Sequence, residues 1–181
     1  MFTKIEVIFV LGGPGAGKGT QCKLIAERYR ICHISVGDIL RAEIENPDSK
    51  WAPLIRANMA EGRVGPARMT VGLLKTTMIQ KTKDQDISIF LIDVVLSLDC
   101  PFEILQSRVL SRAKVASRID DGVDIIQKRY NQFILTCKPV IAAYQVRGLV
   151  VEIDAARDVS LVNVDIENNL RKYVPMVRKT I

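Results

Sequence analysis

The chain has 181 residues, 48% of them hydrophobic and 25% charged, and it carries a net charge of +6. This balance is typical of one soluble globular domain and excludes a disordered or fibrous chain. No apolar stretch is long enough to span a bilayer, so we expect no membrane partner. The basic charge suits an anionic ligand. However, Lys and Arg are dispersed rather than clustered, which argues against nucleic acid as a partner.

The cysteines and the N-terminus indicate the cellular compartment. The chain has four cysteines, Cys22, Cys32, Cys100 and Cys137. Their spacing matches neither a paired metal-binding pattern nor a CxxC motif. Isolated thiols of this kind are typical of proteins in a reducing compartment. The apolar N-terminus is interrupted by Lys4 and Glu6, which is the pattern of a core strand rather than of a signal peptide. We therefore expect a cytoplasmic protein, with the nucleus as an alternative location.

The first predicted strand, Glu6–Leu11, leads into residues 12–20, which read Gly-Gly-Pro-Gly-Ala-Gly-Lys-Gly-Thr. Apolar residues then recur at helical spacing and predict a helix over Lys18–Arg30. Strand, glycine turn, lysine and helix in this order form a phosphate-binding loop, or P-loop. The backbone N–H groups and the helix N-terminus attract phosphate, and the Lys18 ammonium reaches the outer phosphates. The alternative, a tight strand–turn–helix without a ligand, does not explain why the lysine and threonine coincide with the glycines.

The next segment is predicted to be mostly helical. Ile31–Ser35 forms a short strand or a turn, and a helix follows over Asp38–Glu45. Ser49 is suited to cap another helix that ends near Glu61, because its hydroxyl can accept from the first free N–H groups. Gly62–Pro66 has the composition of a loop.

The remaining elements alternate between helix and strand. They are a helix capped by Thr70 that carries Val71, Leu74 and Met78; the apolar run Ile87–Cys100; a helix begun by Pro101; a helix capped by Asp120 or Asp121 that ends near Leu135; the strand Leu149–Ile153; and a final helix striped by Val162, Ile166, Leu170 and Tyr173. Alternating strands and helices predict an α/β fold with a parallel sheet.

Motifs along nearly the whole chain resemble those of the nucleoside monophosphate kinases of the adenylate kinase family. The resemblance is greatest to the eukaryotic UMP/CMP kinases. The motifs lie at residues 12–21, 33–41, 46–49, 61–63, 90–93, 118–121, 128–129 and 153–155. The resemblance implies a P-loop NTPase-type parallel sheet with helices on both faces, in a single kinase-like domain over residues 1–181. It also implies a monophosphate-binding segment at 35–65, a short lid at 111–121 and a monomeric state.

The activity implied by the resemblance is transfer of the γ-phosphoryl group of ATP to UMP or CMP, with Mg²⁺. Such catalysis depends on positioning and on cations, and arginine is suited to phosphate because its guanidinium is planar, bidentate and always charged. The catalytic residues would be Lys18, Arg118 and Arg129. ATP would be bound by Gly15, Ala16, Gly17, Lys18, Gly19, Thr20, Arg112 and Arg157. The monophosphate would be bound by Arg41, Arg63, Val64, Gly65, Arg118 and Arg129. Asp93, interpreted as the end of a strand, would hold Mg²⁺ through water.

The resemblance breaks directly after Asp93. The family continues there with Gly-Phe-Pro-Arg, a helix and a further strand, whereas this chain runs straight into Val94-Val95-Leu96. About two dozen family residues are absent, and a parallel crossover alone needs a dozen or more. Ile87–Cys100 must therefore form one long strand, bend sharply, or leave a sheet position empty. One strand–helix unit is predicted to be lost or disturbed.

The break leaves the functional prediction with alternatives. The first is a UMP/CMP kinase whose activity is impaired, because the resemblance implies that the arginine of the absent Gly-Phe-Pro-Arg would bind the phosphate of the monophosphate. The second is a nucleotide-binding variant without kinase turnover. A third, motivated only by the basic charge, is an RNA-associated P-loop protein.

Overall fold

A computed structural model describes residues 7–29, 31–84, 92–115 and 118–173. Helices and strands alternate along these residues. They are β1 (Val7–Gly12), α1 (Lys18–Tyr29), α2 (Val36–Glu45), α3 (Ala52–Ala60), α4 (Ala67–Asp84), β2 (Ile92–Asp99), α5 (Phe102–Ala113), α6 (Val123–Thr136), α7 (Lys138–Gln145), β3 (Val150–Asp154) and α8 (Val159–Tyr173). The α/β class that the sequence predicts is confirmed.

The described strands form one parallel sheet in the order β1-β2-β3. Residues Val94 to Leu98 of the central strand β2 are all buried. Because successive side chains point to opposite faces of a sheet, both faces are covered along this strand. This explains why the segment is continuously apolar rather than alternating.

The break after Asp93 lies inside β2. The strand runs from Ile92 to Asp99, and its pairing with β1 shifts register at Asp93, since Val7 lies opposite Ile92, Ile8 opposite Val94 and Gly12 opposite Leu98. Of the three predicted outcomes, a single strand across the junction is confirmed. Residues 87–91 of the predicted run lie outside the described residues. Within the described part of the chain, β1 pairs only with β2 and forms one edge of the sheet.

Two separate hydrophobic clusters hold the fold together. The main core surrounds the sheet and includes Leu96 and Leu98 of β2 with Ile166 and Leu170 of α8. A smaller cluster joins α2, α3 and α4, and its buried members are Ile55, Met59 and Met69. The predicted monophosphate-binding segment therefore has its own small core, beside the sheet rather than within it.

Three details of the sequence prediction are wrong. Thr70 lies inside α4 instead of capping it, since the helix begins at Ala67. Gly122 occupies the N-cap of α6, and Asp120 and Asp121 direct their side chains to arginines instead. Residues 31–35 form neither of the predicted alternatives, a short strand or a turn. The chain also contains α7, which the sequence analysis did not predict. Pro139 in its first turn separates it from α6, so the two helices do not share one helical periodicity.

Candidate active site

The P-loop connects β1 to α1 and has the backbone shape that phosphate binding needs. Gly15 and Gly17 have φ angles of 85° and 82°, in the left-handed region that favours glycine. A Cβ on Gly15 would approach the Leu105 carbonyl oxygen to 2.6 Å, so this glycine also lets the loop pack on α5. By contrast, a Cβ on Gly17 or Gly19 would meet no atom within 4 Å. The loop is anchored on one side and open on the other, where a phosphate can approach the backbone N–H groups.

Lys18 lies at the first position of α1 and folds back over the loop. Its Nζ donates to the carbonyl oxygens of Gly12 and Gly13, at 2.8 Å each. An ammonium has three N–H donors, so one remains for a ligand. Burial lowers the pKa of Lys18 to about 8, and the nearby Arg129 contributes in the same direction. An anion at this point would offset both effects and keep the ammonium charged.

Three of the arginines that the sequence predicts at phosphates, Arg41, Arg112 and Arg129, form ion pairs with Asp120 or Asp121. Arg118 is near enough to feel the charges of both aspartates, and we call the four arginines and two aspartates the Arg–Asp cluster. Arg129 Nη1 lies 2.9 Å from Asp120 Oδ2 and 3.6 Å from Asp121 Oδ1. Arg112 forms a bidentate pair with Asp121, with distances of 2.9 and 2.5 Å. Arg41 is more loosely held, 4.0 Å from Asp120, and also pairs with Asp38 at 2.6 Å.

The charges of the Arg–Asp cluster do not balance. Four guanidinium groups face three carboxylates, because Arg41 also pairs with Asp38, which leaves one positive charge in excess. Burial lowers the pKa of Arg129, and burial together with Arg112 and Arg41 lowers the pKa of Arg118. Both directions mean that these cations lack sufficient compensating negative charge. A phosphate group, which carries about −1.5 to −2 at neutral pH, would supply it.

A cavity of about 290 Å³ opens between the P-loop and helices α2, α3, α4 and α6. Lys18, Arg41, Asp120 and Arg129 line its charged end. The rest of its wall comes mainly from the small core and the loop before α4, and includes Ile55, Asn58, Met59, Arg63, Val64, Gly65, Met69 and Thr70. A cavity with a cationic end and an apolar end suits a ligand with a phosphate and a flat ring.

The predicted monophosphate residues of the α3–α4 loop line this cavity, but Arg63 does not join the Arg–Asp cluster. Arg63 is largely exposed and pairs with Glu61 at 2.8 Å. Val64 is 64% exposed. A Cβ on Gly65 would come within 2.7 Å of Met69 Cε, so the glycine keeps the wall close to the methionine.

Arg157, predicted beside ATP, lies in the turn between β3 and α8 and pairs with Asp154 and Asp165. Arg108 of α5 holds this turn, because it donates to the carbonyl oxygens of Ala155, Ala156 and Arg157 at 2.6 to 3.1 Å. The sequence prediction missed Arg108. Its spacing of four residues from Arg112 places both on one face of α5, and this spacing is the signal that could have identified it.

The position predicted for Asp93 is wrong, since it is the second residue of β2 rather than the end of a strand. Leu98 is the residue opposite Gly12, so Asp93 lies five residues, or about 16 Å, upstream of the P-loop level. The described carboxylates closer to the loop face cations, with Asp120 and Asp121 in the Arg–Asp cluster and Asp99 3.2 Å from Lys138. The residues that the structure describes therefore do not fit a magnesium ion held by the protein itself.

Comparison with known proteins identifies the class. The family profile described as Adenylate kinase matches residues 10–93, which ends where the sequence analysis places the break. A zebrafish (Danio rerio) protein named UMP-CMP kinase is 37% identical, over 93% of this chain and 98% of its own. A Saccharomyces cerevisiae uridylate kinase is 37% identical over 93% and 92%, and the human UMP-CMP kinase is 38% identical over 84% and 90%. The chain belongs to the adenylate kinase family of nucleoside monophosphate kinases, and its similarity is to UMP-CMP kinases.

The zebrafish comparison also measures the break. Because 93% of 181 residues is about 168, an alignment of 193 positions leaves about 25 residues of the relative without a counterpart in this chain. This agrees with the missing strand–helix unit. In the described residues, no helix is both long and apolar enough to cross a membrane.

Proposed function

We propose that the chain transfers the γ-phosphoryl group of ATP to pyrimidine nucleoside monophosphates, forming UDP from UMP and CDP from CMP. The observation that carries the proposal is the Arg–Asp cluster, which lies beside Lys18 with one positive charge in excess. Phosphoryl transfer brings two polyanions together and spreads negative charge over the transferred group. A cationic cluster between an ATP-phosphate loop and a second ligand cavity supplies what this reaction needs.

The P-loop would bind the donor phosphates through the N–H groups of residues 15–20, with Lys18 on the outer phosphates. The acceptor phosphate would enter the charged end of the cavity and take over Arg41 and Arg129 from Asp120. Arg112 and Arg118 would then stabilise charge on the transferred group. This exchange of carboxylate for phosphate would also make up for the acceptor arginine that the break removes.

Magnesium enters this proposal as part of the donor substrate, MgATP. Mg²⁺ needs few protein ligands when phosphate oxygens and water complete its octahedral shell. We derive no catalytic step from a protein-bound ion.

The test is a coupled assay of the purified full chain with MgATP and, separately, UMP, CMP, dCMP and AMP. We expect UDP and CDP formation, faster than ADP formation from AMP. Lys18→Ala should lower kcat by about 10³, because an electrostatic partner of the transition state is lost. Lys23→Ala is the matched control, since Lys23 is exposed on the same helix. Turnover of wild type no faster than that of Lys18→Ala would contradict the proposal.

The alternative of a nucleotide-binding variant without turnover makes a different prediction. In that case ATP would raise the melting temperature while no UDP or CDP formed. No observation in the described residues favours it, since the Arg–Asp cluster is intact. RNA binding also lacks support, because the arginines named above are gathered around the cavity rather than along an exposed face. We further propose a monomer in the cytoplasm or nucleus, which gel filtration and cell fractionation would test.

A further inference from the structure

Two buried side-chain oxygens in the described residues have no hydrogen-bond partner, Thr70 Oγ1 and Asp120 Oδ1. Both residues line the same cavity. Unpaired buried oxygens are rare in folded proteins, and a common reason is a ligand that completes them. Asp120 belongs to the charged end of the cavity, so its second oxygen lies among arginines. Thr70 lies in the wall formed by the small core, and the Arg–Asp cluster does not account for it.

The hydroxyl of Thr70 differs from those of other threonines on α4. Thr76 Oγ1 donates to the Gly72 carbonyl oxygen at 3.1 Å, and Thr77 Oγ1 donates to Leu73 at 3.0 Å. Each satisfies its hydroxyl one turn back, as helical threonines commonly do. Thr70 is in the same helix, where the carbonyl one turn back belongs to Pro66 and accepts the Thr70 backbone N–H at 3.2 Å. Its side chain makes no such bond.

The surroundings of Thr70 suggest which part of a nucleotide would reach it. Ile55, Met59 and Met69 are buried and apolar, and they line the cavity together with Gly65. The cations that attract phosphate lie at the other end, on the P-loop and α6. A flat ring would therefore enter the apolar end with its polar edge toward the Thr70 hydroxyl.

We propose that Thr70 recognises the pyrimidine base of the acceptor by hydrogen bonding to its polar edge. This rests on the proposed function, because the base belongs to the acceptor monophosphate. A hydroxyl can donate or accept, and it rotates to suit its partner. Uracil presents a carbonyl oxygen where cytosine presents an amino group, so one threonine can serve both. Thr70 thereby gives the site a polar group that recognises the base and that does not depend on the segment missing after Asp93.

The test compares Thr70→Val with Thr70→Ser and measures equilibrium binding of UMP, CMP and ribose 5-phosphate by calorimetry. Thr70→Val should weaken UMP and CMP binding about three- to tenfold, the usual effect of one neutral hydrogen bond. Ribose 5-phosphate has no base, so its binding should not change. Thr70→Ser keeps the hydroxyl and should bind both nucleotides within about twofold of wild type. Thr76→Val is the matched control on the same helix.

Thermal unfolding separates recognition from a structural role. Because the Thr70 hydroxyl is unpaired in the free protein, Thr70→Val should not lower the melting temperature. Unchanged UMP and CMP affinity in Thr70→Val would overturn the inference, as would wild-type UMP binding no tighter than that of ribose 5-phosphate. Failure of the proposed function would give a different result from failure of this inference. The wild type would bind UMP, Thr70→Val would bind it more weakly, and no UDP would form.

Discussion

The donor side of the candidate site is formed mainly by backbone groups, and the acceptor side is formed mainly by side chains. On the donor side, the backbone of residues 12–20 is already shaped for phosphate and is anchored by contacts with α5. On the acceptor side, arginine side chains are gathered by Asp120 and Asp121, and a ligand must compete with these carboxylates. A backbone site depends on conformational freedom at a few glycines. A side-chain site depends on charge balance across several elements.

The largest effect that separates the two sides is expected from Arg129→Met. The substitution removes the 2.9 Å ion pair of the buried Asp120 and leaves only the 4.0 Å pair with Arg41, which should lower the free energy of unfolding by about 3 kcal/mol. It should also abolish turnover with UMP. Denaturant unfolding and the coupled assay measure the two effects. Lys128→Met, an exposed neighbour on α6, should change neither by much. Full stability in Arg129→Met would show that the ion pairs do not organise the acceptor side.

A smaller effect is expected on the donor side from Gly15→Ala. The new Cβ would meet the Leu105 carbonyl oxygen at 2.6 Å, with φ at 85°, so the substitution should cost about 2 kcal/mol of stability. Gly19→Ala has open space and a helical position, and it should leave stability unchanged or slightly raised. Because that space faces the P-loop ligand, Gly19→Ala should still weaken ATP binding. Equal losses of stability in the two variants would contradict the interpretation that Gly15 packs against α5 while Gly19 faces open space.

The smallest effect is a pH dependence confined to the donor side. The pKa of Lys18 is about 8 in the free folded protein and 10.5 in the unfolded chain. Between these values the unfolded chain binds more protons, so the stability of the free protein should rise with pH. ATP needs the charged ammonium, so its affinity should fall about tenfold between pH 7 and pH 9.

Calorimetry at several pH values tests this dependence, with Lys18→Ala as the control. The variant lacks the ammonium, so its weaker ATP binding should stay nearly constant over the same range. A wild-type affinity that does not change up to pH 9 would show that the Lys18 ammonium keeps its proton despite burial.

Local patterns determined most of the donor side. The order strand, glycines, lysine and helix needs only adjacent residues, because backbone conformation and helix periodicity are short-range properties. For the same reason β1, α1, α2 and α8 are found close to the predicted positions. The parallel α/β class followed from the alternation of elements.

The family motifs predicted the arginines of the acceptor side, and tertiary structure decided how these arginines are held. From the sequence, Asp120 and Asp121 have the pattern of helix caps, and Thr70 does too, since all three precede or begin helical runs. Folding brings α2, α5 and α6 together, so that the two aspartates instead neutralise arginines from distant positions. The buried hydroxyl of Thr70 is left without a partner, in a residue that lines a cavity no local pattern reveals.

At the junction after Asp93, too, one feature was determined by the sequence and another was decided by tertiary structure. The sequence by itself determined that a crossover is missing, because two consecutive parallel strands need a return path. Whether the chain bends or continues depends on which neighbours can cover its apolar residues. Burial of β2 on both faces between β1 and β3 decided for a single strand, and this placed Asp93 far from the P-loop.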